Sequence, residues 1–400
     1  MKTTQNKLIS RQNNGFTIVE LLVVVVVIGI LAAITLISYR GISARANEAA
    51  LTADLSNAKK QLALYFAENN TYPTALDANK CPSAPIADTN YCLKSSNGNI
   101  LTYYGNALNF TLSATKGNQS AVINNDTSPK TLSLTPPTDC PSGFIPVPGS
   151  ATYGTDGFCV MKYEAKNAGS NIPVSTATGT PWVNINQTDA MTYSKNVAGC
   201  TGCNLISEAQ WMTLAQNVLS VNSNWSGGTV GSGYIYSGHN DNAPANSLAA
   251  DASDANGYTG TGQTTGNQKR TLTLTNGEVI WDMAGNITEW TSGQVSGANN
   301  QPGAPGTGWT GYEWPSVTSL GTISVSPTPA STGLSGAASW STGNGVGYLA
   351  SDTTQSALRG FLRGGYWNGA SNAGVLFLNL NNAPSTVSTY VGFRVAAVAP

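Results

Sequence analysis

Histidine and cysteine, the side chains most often used as bases, nucleophiles and transition-metal ligands, are scarce in this 400-residue chain. His239 is the single histidine, which excludes most histidine-based catalysis and most histidine-ligated metal sites. The six cysteines are Cys81, Cys92, Cys140, Cys159, Cys200 and Cys203, an even number that fits disulfides formed in an oxidising compartment. Their spacing groups Cys81 with Cys92, Cys140 with Cys159 and Cys200 with Cys203. Free buried thiols or a metal site are the alternatives. A four-cysteine zinc site would need a second close pair like Cys200 and Cys203, and the sequence has none.

Two carboxylate settings stand out. Asp282 and Glu289 could form an acid–base pair; alternatively Asp282 caps a turn and Glu289 satisfies loop amides. Glu20 lies in an apolar run of 24 residues, Phe16 to Tyr39, long enough to span a bilayer with some tilt. A carboxylate there costs on the order of a few kcal/mol and marks a functional position unless it snorkels to the interface. Lys2, Lys7 and Arg11 precede the run with no acid among them, so that flank should stay cytoplasmic and the rest of the chain outside. A secretory signal peptide would have a shorter apolar core followed by a small-residue cleavage site.

The elements that must position these residues change character along the chain. Charged residues are only 10% and the net charge is −1, so there is no basic excess for nucleic acid. The apolar run continues into an amphipathic helix with Ile42, Ala46, Ala49, Ala53, Leu62 and Tyr65 on one side. Asp54 and its charged neighbours mostly decorate the other. Asn69 to Pro73 stops this helix, about 80 Å long from residue 16 to 68. Short strands follow at Ile100–Tyr104, Ala107–Thr111, Ala121–Ile123 and Thr131–Leu134. A Pro-rich stretch, 136–143, marks a boundary. Beyond it lie all nine tryptophans, but no lysine occurs after Lys269. One clear helix spans Ser207–Leu219 with Ser207 as N-cap; a second starts near Asn186–Thr188 and runs to Asn196. Segments 225–270 and 292–357 read as elaborated loops or as poorly ordered stretches. Between Gly364 and Phe393 there is no charged residue; Tyr, Trp and Phe mix with Asn, Ser, Gly and Thr. Rigid aromatics with small polar side chains are the chemistry of adaptable recognition surfaces. A buried C-terminal strand pair with ordinary loops is the alternative.

Gly15-Phe16-Thr17-Ile18-Val19-Glu20-Leu21-Leu22 closely resembles the processing motif of the type IV pilin and pseudopilin family. The resemblance covers about the first 70 residues. It implies cleavage after Gly15 by a prepilin peptidase, N-methylation of Phe16, and pairing of Glu20 with the terminal amine of a neighbouring subunit during assembly. Four further phrases, in order, resemble the formylglycine-generating enzyme (sulfatase-modifying factor) family. They are Asn204–Trp211, Val279–Thr291, Leu362–Trp367 and Val391–Ala396, and this likeness spans about 140–400.

The second resemblance implies a C-type-lectin-type α+β domain, but not its chemistry. The copper-binding cysteine pair of that enzyme has no counterpart after Cys203, and the His cluster of a related iron branch is reduced to His239. No catalytic residue is therefore expected. Trp281, Trp290 and Trp367 should be core, and Arg363 and Arg394 should anchor core strands. Glu289 with the carbonyls around Gly285 and Ile287 could hold Ca²⁺, the one candidate cofactor. Lectin-fold domains of this group resemble targets of diversity-generating retroelements, whose rewritten segment is bracketed as Arg363–Trp367 and Gly392–Arg394 bracket one here. On that likeness Tyr366, Asn368, Ser371, Phe377, Ser388 and Tyr390 line a binding face.

The expected organisation is a leader at 1–15, a transmembrane and amphipathic helix at 16–70, a small pilin-like β head at 71–135, a linker at 136–143 and a lectin-fold domain at 144–400. The expected protein is non-catalytic. It is a single-pass inner-membrane subunit that self-assembles with other pilins into a surface filament and displays a head for an unknown protein or glycan ligand. A minor pseudopilin of a type II secretion system and a membrane-anchored sulfatase-modifying enzyme are the alternatives.

Overall fold

The computed structural model describes residues 18–398 apart from 97, 106, 107, 118, 318, 320 and 322–339. Gly15 and Phe16 lie outside the described residues, as does the side chain of Glu20. The chain divides into two compact units, Met1–Ala49 and Ala50–Pro400. Helix α1 is Ile18–Asn69. Among the described residues no helix is long and apolar enough to cross a membrane; the run from Phe16 to Tyr39 lies partly outside them.

From Ala50 onward, α1 buries Leu51, Leu55, Ala58, Leu62 and Tyr65. These steps of four and three place one stripe on one helical face. The stripe differs from the expected one. Leu62 and Tyr65 lie on it as expected, but Ala53 is exposed and Leu51 and Leu55 take its place, because a leucine buries far more apolar area than an alanine. Against the stripe lies a four-stranded antiparallel sheet of β1 (Ile100–Gly105), β2 (Phe110–Lys116), β3 (Gln119–Asn124) and β4 (Lys130–Leu132), in that order. Leu101, Phe110, Leu112, Ala114, Ala121 and Ile123 complete this apolar core. β2 runs on past the expected end at Thr111 to Lys116; its expected start, Ala107, lies outside the described residues. Lys116 pairs with Gln119, so a two-residue connection joins β2 to β3, and Gly117 takes the positive φ (58°) that such a connection needs.

Asp54, expected on the solvent side, is buried. Its carboxylate accepts from the Ser96 amide (2.7 Å), the Ser96 hydroxyl (2.8 Å) and Asn99 Nδ2 (2.7 Å). It thereby pins the loop that leads into β1.

The rest of the unit is built on two sheets. The first orders β7 (Cys203–Leu205), β16 (Val395–Val398), β6 (Phe158–Met161) and β5 (Phe144–Val147). A hairpin of β8 (Thr271–Thr273) and β9 (Val279–Trp281) stands beside them. The second sheet orders β11 (Thr310–Tyr312), β12 (Leu349–Ser351), β14 (Gly374–Asn379), β13 (Arg359–Gly364), β10 (Thr288–Val295) and β15 (Val391–Phe393). The pairs β12–β14 and β10–β15 are parallel, the others antiparallel.

Helix α2 (Gln187–Tyr193) is capped by Asn186 and extended by one 3₁₀ turn to Asn196. Helix α3 (Glu208–Leu219) opens with a reciprocal box between Ser207 and Gln210. It buries Trp211, Met212, Leu214, Ala215 and Val218. The fold is thus a mixed α/β architecture with a helix near the N-terminus and a β-rich C-terminal domain. The cysteines form three disulfides, Cys81–Cys92, Cys140–Cys159 and Cys200–Cys203.

Candidate ligand-binding face

Beneath the candidate face the C-terminal domain is fixed by buried charge. Arg363 on β13 donates from Nη2 (2.6 Å) and Nε (3.1 Å) to Glu208 Oε2, and Thr291 Oγ1 donates to Glu208 Oε1. Arg394 donates to both oxygens of Glu289, 2.8 and 3.1 Å, and to the carbonyls of Met161 and Trp281 at 2.9 Å each. Arg270 holds Asp282 with two bonds, 2.6 and 2.8 Å, and ties down the carbonyls of Leu248, Ala249 and Thr259. Each guanidinium is paired with a carboxylate and with backbone carbonyls, the condition under which a buried ion pair is tolerable.

These contacts bear on two expectations. Glu289 is fully buried and each of its oxygens accepts from Arg394. Among the described residues no group of three or more His, Cys, Asp or Glu could hold a metal ion. Asp282 is not a turn cap but the partner of Arg270, a pairing that sequence reasoning missed. His239 is structural: its ring is buried, with Nδ1 3.2 Å from Gln268 Oε1 and Nε2 2.9 Å from the Pro244 carbonyl.

At the end of β13 the chain must leave the sheet abruptly. Gly364 and Gly365 do this with φ of 84° and 79°. A Cβ on Gly365 would lie 2.6 Å from Ala373 Cα, so the turn has room only for glycine. The next residues form a raised loop. Gly369 N donates to the Tyr366 carbonyl (2.8 Å), and a 3₁₀ turn spans Ala370–Asn372.

On this loop the Tyr366 ring stacks on Tyr390, with centroids 4.3 Å apart and planes at 20°. Trp367 meets Tyr366 edge-on at 5.8 Å. Burial raises the Tyr366 hydroxyl above the ordinary phenol range, and neighbouring Tyr390 adds to the shift. Tyr348 is raised by burial and by Tyr366. These phenols therefore stay protonated and neutral at physiological pH.

The structure brings together Tyr366 and Tyr390, both half-buried, with exposed Asn368 and Ser371 on the same loop. Ser388 is half-buried two residues before Tyr390. Phe377 does not join them. It faces inward from β14, 5% exposed, with its ring 5.6 Å from Tyr348. Every residue from Val375 to Leu378 is buried, because β14 is an interior strand of its sheet. Two aromatic neighbours were missed. Trp367, expected in the core with Trp281 and Trp290, is half-buried beside Tyr366, and Tyr348 approaches from a separate loop. Trp367 Nε1 has no partner among the described residues, whereas Trp211, Trp225, Trp290 and Trp314 each donate to a carbonyl. That contrast was a signal only the structure could give. Two concavities of 490 and 610 Å³ exist elsewhere on the unit, and neither is lined by these residues.

The face is aromatic, polar and uncharged, and it sits on a domain of recognisable kind. The profile of the family described as sulfatase-modifying factor enzyme 1-like domain matches residues 144–399, well over half of the chain, and the chain belongs to that family. The prokaryotic N-terminal methylation motif matches residues 10–36.

More particular likenesses lie at the N-terminus. The type II secretion system core protein G of Aeromonas hydrophila is 36% identical over 80 residues, 19% of this chain and 56% of that protein. The type IV wide pilus major component PilA4 of Thermus thermophilus is 40% identical over 62 residues, 16% of this chain and 47% of that protein. The chain thus spans about half the length of these relatives. Among solved structures, Treponema denticola variable protein 1 aligns at 15% identity and a TM-score of 0.31, over 70% of this chain and 99% of that one. A Major Tropism Determinant I1 variant aligns at 13% and 0.29, over 74% and 59%. Likenesses this low carry no functional inference.

Proposed function

We propose that this protein is a non-catalytic, type IV pilin-like filament subunit that displays its C-terminal domain as a ligand-recognition head. The supporting observation is the stacked Tyr366–Tyr390 face, uncharged throughout, on a chain whose other end carries the methylation motif. In this reading the domain is of C-type-lectin type. Residues 1–15 are a leader removed after Gly15 by a prepilin peptidase, and Phe16 becomes the methylated terminus. The helix from Phe16 anchors the subunit in the inner membrane before assembly and packs in the filament afterwards. Residues 71–135 form the pilin head, joined by 136–143 to the recognition domain.

A catalytic reading draws no support from the cysteines, all six of which are bonded in disulfides. The ligand is a protein or glycan on another surface. The segment between Arg363 and Arg394 is a candidate for retroelement diversification; an adenine-rich near-repeat of codons 364–394 beside a reverse transcriptase gene is the expected genomic signature.

A second reading, a minor pseudopilin, has one observation in its favour, the likeness to type II secretion core proteins. Surface immunolabelling separates the two. Label along extracellular filaments supports the first, and label confined to the cell envelope supports the second. Glu20→Ala should leave membrane insertion intact and sharply reduce assembly, since it removes the carboxylate proposed to pair with a neighbour's amine. Normal filaments from that variant would refute the pairing.

A further inference from the structure

The recognition loop is tied through its backbone to residues outside it. Its attachments converge on a residue that belongs to neither the loop nor the face. Asn286 sits between β9 and β10 with φ of 60°, a conformation Asn tolerates better than most residues. Its backbone carbonyl accepts from Trp367 N at 3.0 Å, and its backbone amide donates to the His239 carbonyl at 2.7 Å. Its side chain accepts from Leu248 N (2.7 Å) and donates to Leu248 O (3.1 Å). The segment it holds in turn grips the recognition loop, for Asn242 N donates to Trp367 O at 2.7 Å and Ala370 N donates to Asn240 O at 2.8 Å. One residue thus contacts both the loop and its support, through its backbone, while its side chain is held by Leu248 and Glu164.

What orients Asn286 is Glu164. Glu164 Oε2 accepts from Asn286 Nδ2 at 2.6 Å, and Oε1 accepts from Ile287 N at 3.2 Å. Glu164 is 1% exposed and stands far away in sequence, next to a short ladder of residues 166–167 and 173–174. Neither residue reaches the surface, so neither would touch a ligand.

We infer that Glu164 and Asn286 are positioning residues for ligand recognition: Glu164 locks the Asn286 amide, and Asn286 fixes the backbone of Trp367 and thereby the Tyr366–Ala370 loop. The inference rests on the proposed function only in calling that loop a recognition element.

The test is hydrogen–deuterium exchange on the full-length protein without ligand. Asn286→Asp keeps the size and the tolerance of positive φ but removes the Nδ2 donor and sets two carboxyls together. Exchange at the Trp367 and Ala370 amides should rise by about tenfold, while the amides of β6 and α3 keep their protection. Combining Asn286→Asp with Glu164→Gln reverses donor and acceptor and should restore exchange to within about threefold of wild type. Unchanged exchange in Asn286→Asp would overturn the inference. So would equal loss of protection across the domain, or failure of the reversed pair to restore it. Binding is read separately, as adhesion of filaments carrying these variants. A loosened loop with undiminished adhesion would uphold the positioning role and sink the recognition reading.

Discussion

The small sheet packed on α1 and the C-terminal domain solve the same problem with different means. The first buries a stripe of Leu51, Leu55, Ala58 and Leu62 against β1–β4, and among the described residues its charged interior is Asp54 alone. The second buries Arg270, Arg363 and Arg394 with carboxylate partners, although residues 271–400 carry only eight charges. Regular elements bury apolar faces and satisfy their own backbone. Long irregular segments bury backbone carbonyls that have no strand beside them, and a guanidinium can satisfy several at once. Arg270 reaches three loop carbonyls and Arg394 three backbone carbonyls. Charge in the C-terminal domain is therefore scaffolding for backbone, that of loops at Arg270 and that of strands at Arg363 and Arg394, which leaves the surface loops free to be neutral.

The sharpest way to break this comparison is to remove one guanidinium. Arg394→Met keeps bulk but strands Glu289 in the core and orphans the carbonyls of Met161 and Trp281. Destabilisation of about 3–5 kcal/mol is expected, measured by urea denaturation of the full chain. A loss below about 1 kcal/mol would mean that the pair is dispensable scaffolding.

The corresponding change in the smaller region is Leu55→Ala. A fully buried leucine truncated without collapse costs about 2–5 kcal/mol. Exchange protection should fall first in β1–β4, with the C-terminal amides little changed. Simultaneous loss in both regions would show that they unfold as one.

The pH profile comes next in size. Burial raises the Glu164 carboxyl well above its ordinary range; Asp282 and Glu289 add to the rise, and Lys166 and Arg394 oppose it. A raised carboxyl binds its proton more tightly folded than unfolded. Its stabilisation is therefore complete below the unfolded value of about 4.3 and is lost as pH climbs toward the folded one. Glu289 is shifted in the same direction by burial. Lys166 is lowered by burial, so its proton linkage has the opposite slope, in the alkaline range. Stability of the wild type should fall as pH rises above that acidic starting point, and Glu164→Gln should flatten part of the slope. An unchanged slope in the variant would assign the titration to another group.

What the sequence disclosed follows the same division. The cap at Ser207 and the helix behind it were legible, because each is a local pattern with a local cause. The cysteine pairs were legible because they are close in sequence. Leu62 and Tyr65 were placed on the buried stripe of α1, but Leu51 and Leu55 were missed by giving Ala53 the weight of a leucine. The buried pairs were not legible as pairs. Glu208 and Arg363 are separated by 155 positions and Glu289 and Arg394 by 105, so no spacing rule joins them. Phe377 was assigned to the face by its company of polar residues, whereas its strand lies inside the sheet and turns it inward. Tyr348 enters the face from a different loop, which composition within residues 364–393 has no means of revealing.

The smallest effect should come from the exposed counterpart of the buried pairs. Lys130 on β4 bridges Asp156 at 2.6 Å, with side chains 62% and 38% exposed. Solvent screens such a pair, and Lys130→Ala should cost less than about 1 kcal/mol, a loss that vanishes in high salt. Asp156 has a second task, accepting from Ser133 N at 2.9 Å beside the strand end. Asp156→Ala should therefore cost more than Lys130→Ala, and the excess should persist in salt because a backbone amide loses its acceptor. Equal costs for the two variants would mean that the ion pair alone matters here. A larger, salt-resistant cost for Asp156→Ala would show that the carboxylate's role at this surface is the one the guanidinium plays inside: satisfying backbone where regular structure ends.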